Sequence, residues 1–150
     1  MTPDVNVLVA ASRRDHVHHA PALAWLEGAL DASSGGAGTG GRTLAILPMV
    51  ASGFLRLVTH PKVFVEPTPL KAAQAFLRAV LDTPGVTMTI LGEEWPLFEK
   101  LCAQHKLSGN AIPDAWIAAA ALSYHLHLVT FDKDFRRLMK ASMVTVLPAK

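Results

Sequence analysis

Asn110-Ala111-Ile112-Pro113-Asp114-Ala115-Trp116-Ile117-Ala118-Ala119-Ala120-Ala121-Leu122-Ser123-Tyr124-His125-Leu126-His127-Leu128-Val129-Thr130-Phe131 is the stretch on which the fold turns. Its first part, Asn110 to Tyr124, is alanine-rich and predicts a helix that must be buried. Its second part, Leu126 to Phe131, is an apolar run of strand length. A buried helix followed at once by a buried strand belongs to a sheet covered on both faces. Pro113, Asp114, Ser123, Tyr124, His125 and His127 interrupt the run, so it predicts no membrane span.

The alternation continues outward in both directions. Met1 to Ala11 predicts a brief strand ending at Asp4, then a helix turning in near Asn6. His16 to Ala32 predicts a helix with Ala20, Leu23, Ala24, Trp25, Leu26 and Leu30 on its apolar face. Ser33 to Gly41 is glycine-rich and reads as a flexible loop, without the Gly-Lys-Ser/Thr ending of a phosphate loop. Thr43 to Leu47 predicts a strand, and Pro48 opens a helix running to about Thr59, proline being well placed in a first turn. His60 to Pro69 is a loop, Leu70 to Leu81 a helix, Val86 to Ile90 a β-branched strand, and Glu93 to Lys106 an amphipathic helix. Asp132 to Lys140 predicts a short helix, and Met143 to Leu147 a last strand. Strands alternating with helices predict an α/β fold with a central parallel sheet and helices on both faces. The length of 150 residues suits a single domain over 1–150. In such sheets the working site lies beyond the carboxyl ends of the strands.

Composition narrows the function. With 51% apolar and 17% charged residues the chain is globular. A formal charge of +2 carries no nucleic-acid argument without local clustering of Lys and Arg. Cys102 is the only cysteine, which rules out an internal disulfide and a cysteine-based zinc site and fits a reducing cytoplasm. No signal peptide is expected, because Met1 to Ala11 lacks a basic start and Arg13-Arg14-Asp15 follows too soon.

Of the twelve acidic residues, Glu27, Glu93, Glu94 and Glu99 read as solvated on polar helix faces. Four aspartates differ. Asp4 ends a strand among valines, where it is either an N-cap or a site carboxylate. Asp114 leads the buried helix, where the helix dipole alone favours an anion by roughly 0.3–1 kcal/mol. Asp132 and Asp134 follow the Leu126 to Phe131 strand, where one of the pair can cap the next helix. If three of these met within about 4 Å, each pair would repel by about 4 kcal/mol at an effective dielectric near 20, so cations or protons must share the site. Hard oxygen ligands suit Mg²⁺ or Mn²⁺, and such an ion suits phosphodiester hydrolysis.

These residues resemble a family. Asp4-Val5-Asn6-Val7-Leu8, Pro48-Met49-Val50-Ala51-Ser52-Gly53-Phe54-Leu55-Arg56, Gly109-Asn110-Ala111-Ile112-Pro113-Asp114-Ala115 and Thr130-Phe131-Asp132-Lys133-Asp134-Phe135 resemble, in order, the four motifs of PIN-domain proteins, particularly VapC toxins of toxin–antitoxin systems. The resemblance implies a three-layer PIN-like fold and a Mg²⁺-dependent endoribonuclease. It also implies an RNA substrate, a VapB-type antitoxin and a homodimer. By position it implies Asp4, Asp114 and Asp132 as metal ligands and catalytic residues, Asp134 as a further catalytic residue, and Asn6, Thr130 and Asn110 as supporting residues. The second motif of the family usually has a glutamate where this chain has Ala51. Three alternatives follow: the other aspartates suffice with Asp134 compensating, the enzyme is slow or needs high Mg²⁺, or it is an inactive module that binds RNA or antitoxin.

Three other features stay open between a structural and a binding role. Asp15-His16-Val17-His18-His19 invites a metal, since His16 and His19 fall on one helix face, but nothing nearby completes a tetrahedral set. Arg42, Arg56, Lys62, Lys133, Arg136 and Arg137 are candidates for phosphate contacts beside a solvated-face reading. Trp25, Trp95 and Trp116 read as core or interface packing, because stacking on bases would need them exposed.

Overall fold

The computed structural model describes residues 1–35 and 43–149; most of the glycine-rich loop (36–41), and Arg42 with it, lies outside the described residues. In chain order the elements are β1 (Thr2–Pro3), α1 (Val5–Ser12), α2 (His19–Ser34), β2 (Ala45–Ile46), α3 (Pro48–Val58), α4 (Leu70–Leu81), β3 (Thr87–Met88), α5 (Trp95–His105), α6 (Ala111–Ser123), β4 (Leu128–Thr130), α7 (Phe135–Leu138) and β5 (Val144–Val146).

All strand pairs are parallel. β4 lies between β1 and β5, and β2 pairs with β3. The Ala45 amide donates to Met1 O at 2.9 Å, which sets the two ladders side by side in the order β3-β2-β1-β4-β5. Pro3 explains why they join no further. The Thr2 and Asp4 amides donate to His127 and Val129 on the β4 side. Position 3 therefore faces β2, where proline has no N–H to give. Every residue of β1, β2 and β4 is buried. Since neighbours on a strand face opposite sides, both faces are covered. β3 is the exception, exposed at both residues.

α4 has the predicted bounds and α3 starts at the predicted proline. The strands are shorter than expected, although flanking residues still make single cross-strand bonds, such as the Thr89 amide to Ile46 O at 3.0 Å and the Leu147 amide to Thr130 O at 2.8 Å. α2 corrects the sequence reading more sharply. It starts at His19, and it buries Ala22, Leu26, Ala29 and Ser33 while Ala20 and Ala24 are exposed. Alanine is too small to mark a face by composition alone. The end of α2 is tied to β2 by Ser33, whose hydroxyl donates to Ala29 O at 2.8 Å and accepts the Leu44 amide at 3.0 Å. Gly85 packs against this joint at φ +79°, where a Cβ would stand 2.3 Å from Ser33 O, so only glycine fits.

Arg13 is buried. Its guanidinium pairs with Asp15 at 2.7 Å, donates to Thr68 Oγ1 and Glu66 O, and lies 3.9 Å over the Phe64 ring. It thereby pins the 60–69 loop to the end of α1. Thr2 is fully buried on β1, and its hydroxyl has no partner among the described residues. Thr2→Val keeps the shape and removes the orphan group, so urea denaturation should show a gain of about 1 kcal/mol. A loss would mean that the hydroxyl is paired. Among the described residues no helix is long and apolar enough to cross a membrane.

Candidate active site

Three elements bring the predicted aspartates together. Asp4 follows β1 and caps α1, Asp132 follows the adjacent β4, and Asp114 lies in the first turn of α6. The chain is steered into α6 by two left-handed residues. Lys106 (φ 50°) ends α5, with the Leu107 amide reaching back to Cys102 O at 3.0 Å, and Gly109 (φ 55°) turns toward Asn110. Asp4, Asp114, Asp132, Asn6 and Asn110 all line one cavity of about 690 Å³. Its other walls are largely apolar: Met49 and Leu57 from α3, Phe98 from α5, and Ile112, Trp116 and Ile117 from α6.

Thr130 is the hub of the acidic end. Its hydroxyl donates to Asp4 Oδ2 at 2.7 Å and accepts from Asn6 Nδ2 at 3.1 Å and the Asp132 amide at 2.9 Å. One proton and two lone pairs are thus fully used. Asp4 Oδ1 accepts the Val5 amide at 2.6 Å, and Asn6 Oδ1 accepts the Phe131 amide at 3.2 Å. These bonds lock α1 to the end of β4 and hold the Asp4 carboxylate in one orientation. Thr130→Val would leave the Asn6 amide and the Asp132 N–H without their acceptor, and an urea titration should show a loss of about 2 kcal/mol. Unchanged stability would show that water replaces the hydroxyl freely.

The electrostatics follow from burial. Asp4 is 5% exposed. Desolvation pushes its pKa up to about 6, against the Thr130 and Val5 hydrogen bonds that pull it down, with repulsion from Asp114 and Asp132 adding to the rise. Asp114 is also raised, by its own burial first and then by Asp132 and Asp134. The carboxylates therefore feel one another across the cavity. Among the described residues, no group of three His, Cys, Asp or Glu side chains forms a ready-made cage for an ion. The donor set still fits a hard cation, since Mg²⁺ is commonly held by one or two carboxylates with water and substrate phosphate completing its shell. Asp4 fits such a role, because each of its oxygens accepts one hydrogen bond and keeps a lone pair.

Other candidates fall elsewhere. Asp134 is exposed and does not line the main cavity. Its amide donates to Asp132 Oδ1 at 2.8 Å, and its side chain lines a neighbouring cavity of about 90 Å³ that Asp114 also borders. Arg56 lines the main cavity and Arg137 the small one, whereas Lys62, Lys133 and Arg136 line neither. Ala51 is packed into the core, while Pro48, Met49, Ser52, Gly53 and Arg56 of the same helix line the cavity. Gly53 lets α3 approach α1, for a Cβ there would stand 2.9 Å from Val5 Cγ2. The histidine segment gathers no metal set: His16 lies before α2, His18 stacks on Phe131 at 4.7 Å, and His19 Nδ1 bonds Ala10 O at 2.9 Å.

One glutamate overturns the sequence reading, and two tryptophans lose the core half of theirs. Trp95 is 51% exposed, and Trp116 lines the cavity, so neither is core packing. Glu94 is 3% exposed rather than solvated. It accepts from the Gly92 amide at 2.7 Å, Trp116 Nε1 at 3.0 Å and Tyr124 OH at 3.4 Å. Burial works to raise its pKa, but these bonds outweigh it and hold the carboxyl below its ordinary value. No local signal marks Glu94, since its partners Trp116 and Tyr124 are distant in sequence.

Three aspartates thus line one cavity of an α/β fold, two of them following adjacent parallel strands and the third in the first turn of a helix. The chain belongs to the PIN domain family, whose pattern matches residues 1–141. It is 36% identical over 135 residues to Ribonuclease VapC31 of Mycobacterium tuberculosis, covering 89% of each chain. Ribonuclease VapC25 of the same organism is also 36% identical over 135 residues, and again 89% of each chain is covered. Ribonuclease VapC43 of that organism is 33% identical over 138 residues, covering 91% of this chain and 88% of the relative. Among solved structures, the fold is similar to a chain from the crystal structure of VapBC2 from Rickettsia felis bound to a promoter DNA fragment. The TM-score is 0.67 at 18% identity, over 98% of both chains.

Proposed function

We propose that this chain is the toxin of a type II toxin–antitoxin system, an endoribonuclease that uses Mg²⁺ or Mn²⁺ to hydrolyse RNA phosphodiester bonds in the cytoplasm. A VapB-type antitoxin and a second copy of the chain are its proposed partners. The observation that carries the reading is the sharing of one cavity by Asp4, Asp114 and Asp132, in a PIN-family chain similar to named VapC ribonucleases. Asp4 and Asp114 bind the cation, and Asp132 completes its surroundings. Asn6 and Thr130 orient Asp4, the Asp134 amide orients Asp132, and Asn110 and Arg56 face the substrate phosphate. When bound, the cation supplies Lewis-acid stabilisation of charge on the phosphate and makes water more acidic. The test is cleavage of total RNA with Mg²⁺ or Mn²⁺ by the parent and by Asp114→Asn. Fragments from the parent alone support the reading, and equal cleavage by both defeats it.

A second reading has its own observation. Ala51 is buried in the core, so α3 offers the cavity no carboxylate, only the Ser52 hydroxyl and Arg56. The chain would then be a weakened or inactive PIN module that binds RNA or antitoxin. Purified protein that binds RNA yet releases no fragments at any Mg²⁺ or Mn²⁺ concentration would favour it.

A further inference from the structure

We infer that Trp116 and Phe98 form a stacking wall for unpaired bases of single-stranded RNA, and that buried Glu94 is the positioning residue that fixes the Trp116 indole on that wall. The inference rests on the ribonuclease reading and deepens it by naming the residues of this chain that hold the bases. Trp116 and Phe98 line the same cavity as Asp4, Asp114 and Asp132, with ring centroids 6.3 Å apart. The series continues outward through Trp95, 5.1 Å from Phe98 and half exposed. Aromatic rings thus run from half-exposed Trp95 to the wall of the cavity that the carboxylates also line.

Such a series suits nucleobases better than an aliphatic chain. Every base has a π-face, so stacking binds single strands with little regard to sequence, whereas paired bases already stack on one another. Arg56 on the opposing helix supplies the one cationic side chain lining this cavity among the described residues, suited to a backbone phosphate. Glu94 accounts for how the indole is held. A carboxylate that is almost wholly buried is costly unless its lone pairs are filled. Here Gly92, Trp116 and Tyr124 fill them, and Tyr124 OH also accepts the Glu93 amide at 3.2 Å. The network links the start of α5 to the middle of α6 and its C-terminal cap, so the indole cannot rotate without leaving a buried charge short of a donor.

The test measures binding without cleavage. Anisotropy of a labelled single-stranded oligoribonucleotide in EDTA is compared with that of an abasic strand of the same length. Trp116→Leu should weaken binding of the normal strand by about five- to a hundredfold and leave abasic binding unchanged. Trp116→Phe should fall between. Glu94→Ala should match Trp116→Leu, Glu94→Gln should keep most of the affinity, and the Glu94→Ala/Trp116→Leu pair should be no worse than either alone. Circular dichroism checks folding, and Phe98→Leu is the alternative should Trp116→Leu not fold. Equal binding of normal and abasic strands by the parent, or parent-like affinity in Trp116→Leu or Phe98→Leu, overturns the inference. A parent that cleaves RNA but shows no base-dependent binding overturns it while leaving the ribonuclease reading intact. Binding lost in Glu94→Ala but additive with Trp116→Leu overturns the positioning role.

Discussion

RNA cleavage by Asp4→Asn protein is expected to fall by more than about a hundredfold, because even residues that only orient a metal ligand cost ten- to a hundredfold when lost. The loss has two sources. Asparagine removes the negative charge that draws the cation, and its amide end cannot serve both existing donors. Asp4 accepts from the Val5 amide through Oδ1 and from the Thr130 hydroxyl through Oδ2. The Thr130 hydroxyl cannot turn to accept, because Asn6 and the Asp132 amide already occupy its lone pairs. Asp114→Asn is the cleaner control, because it changes charge without touching this network. Initial rates on total RNA, with Mg²⁺ titrated for each variant, separate weakened metal binding from lost chemistry. If high Mg²⁺ restores the full rate in Asp114→Asn, that carboxylate only helps recruit the ion. If Asp4→Asn cleaves like the parent, Asp4 has no part in the site.

The second large effect is on stability and depends on pH. The folded pKa of Asp4, about 6, lies above its ordinary value of 3.8. The folded state therefore holds a proton that the unfolded chain releases between these values. The contribution is fully present below the unfolded value and is lost as pH rises through the folded one. At 2.2 pH units the loss is about 3 kcal/mol by pH 7. Asp114 adds to it in the same direction. Asp15 and Glu94, both lowered, and His16, also lowered, act in the opposite sense, since their stabilisation is lost on acidification. Subtracting the Asp4→Asn curve isolates the Asp4 contribution. In EDTA, the parent should lose about 2.4 kcal/mol relative to that variant between pH 4 and pH 7. Adding Mn²⁺ at pH 7.5 should raise the parent's Tm and leave that of Asp4→Asn nearly unchanged, because a ligand stabilises only the state that binds it. A flat difference between the two pH curves would show that Asp4 is better solvated than its burial implies.

The element order, the parallel pattern and the three aspartates that share the cavity were legible because each had a local cause. Pro48 starts α3 where it presets the backbone, and Leu70–Leu81 carries a helical period from end to end. Asp114 stands out because it leads an otherwise apolar helix, and Asp4 and Asp132 because they follow strands. What stayed hidden depends on partners far away in the chain. Glu94 looks like any acidic residue at a helix start until Trp116 and Tyr124 close over it. Arg13 gains its burial only when Thr68, Glu66 and Phe64 come round to it.

The Ala51 position shows the same division. Sequence could say that a carboxylate is missing from the second motif, but only packing shows that the Ala51 side chain joins the core while Ser52 and Arg56 line the cavity. Sequence by itself determined which segments are helix or strand and which carboxylates have no apolar excuse, because periodicity, proline geometry and the cost of burying charge act over a few residues. Tertiary structure alone decided which polar groups are buried, which aromatic rings face the cavity and how Thr130 gathers Asp4, Asn6 and Asp132. Those outcomes require side chains distant in the chain to meet, as Asp4 and Thr130 do within hydrogen-bonding distance across 126 positions.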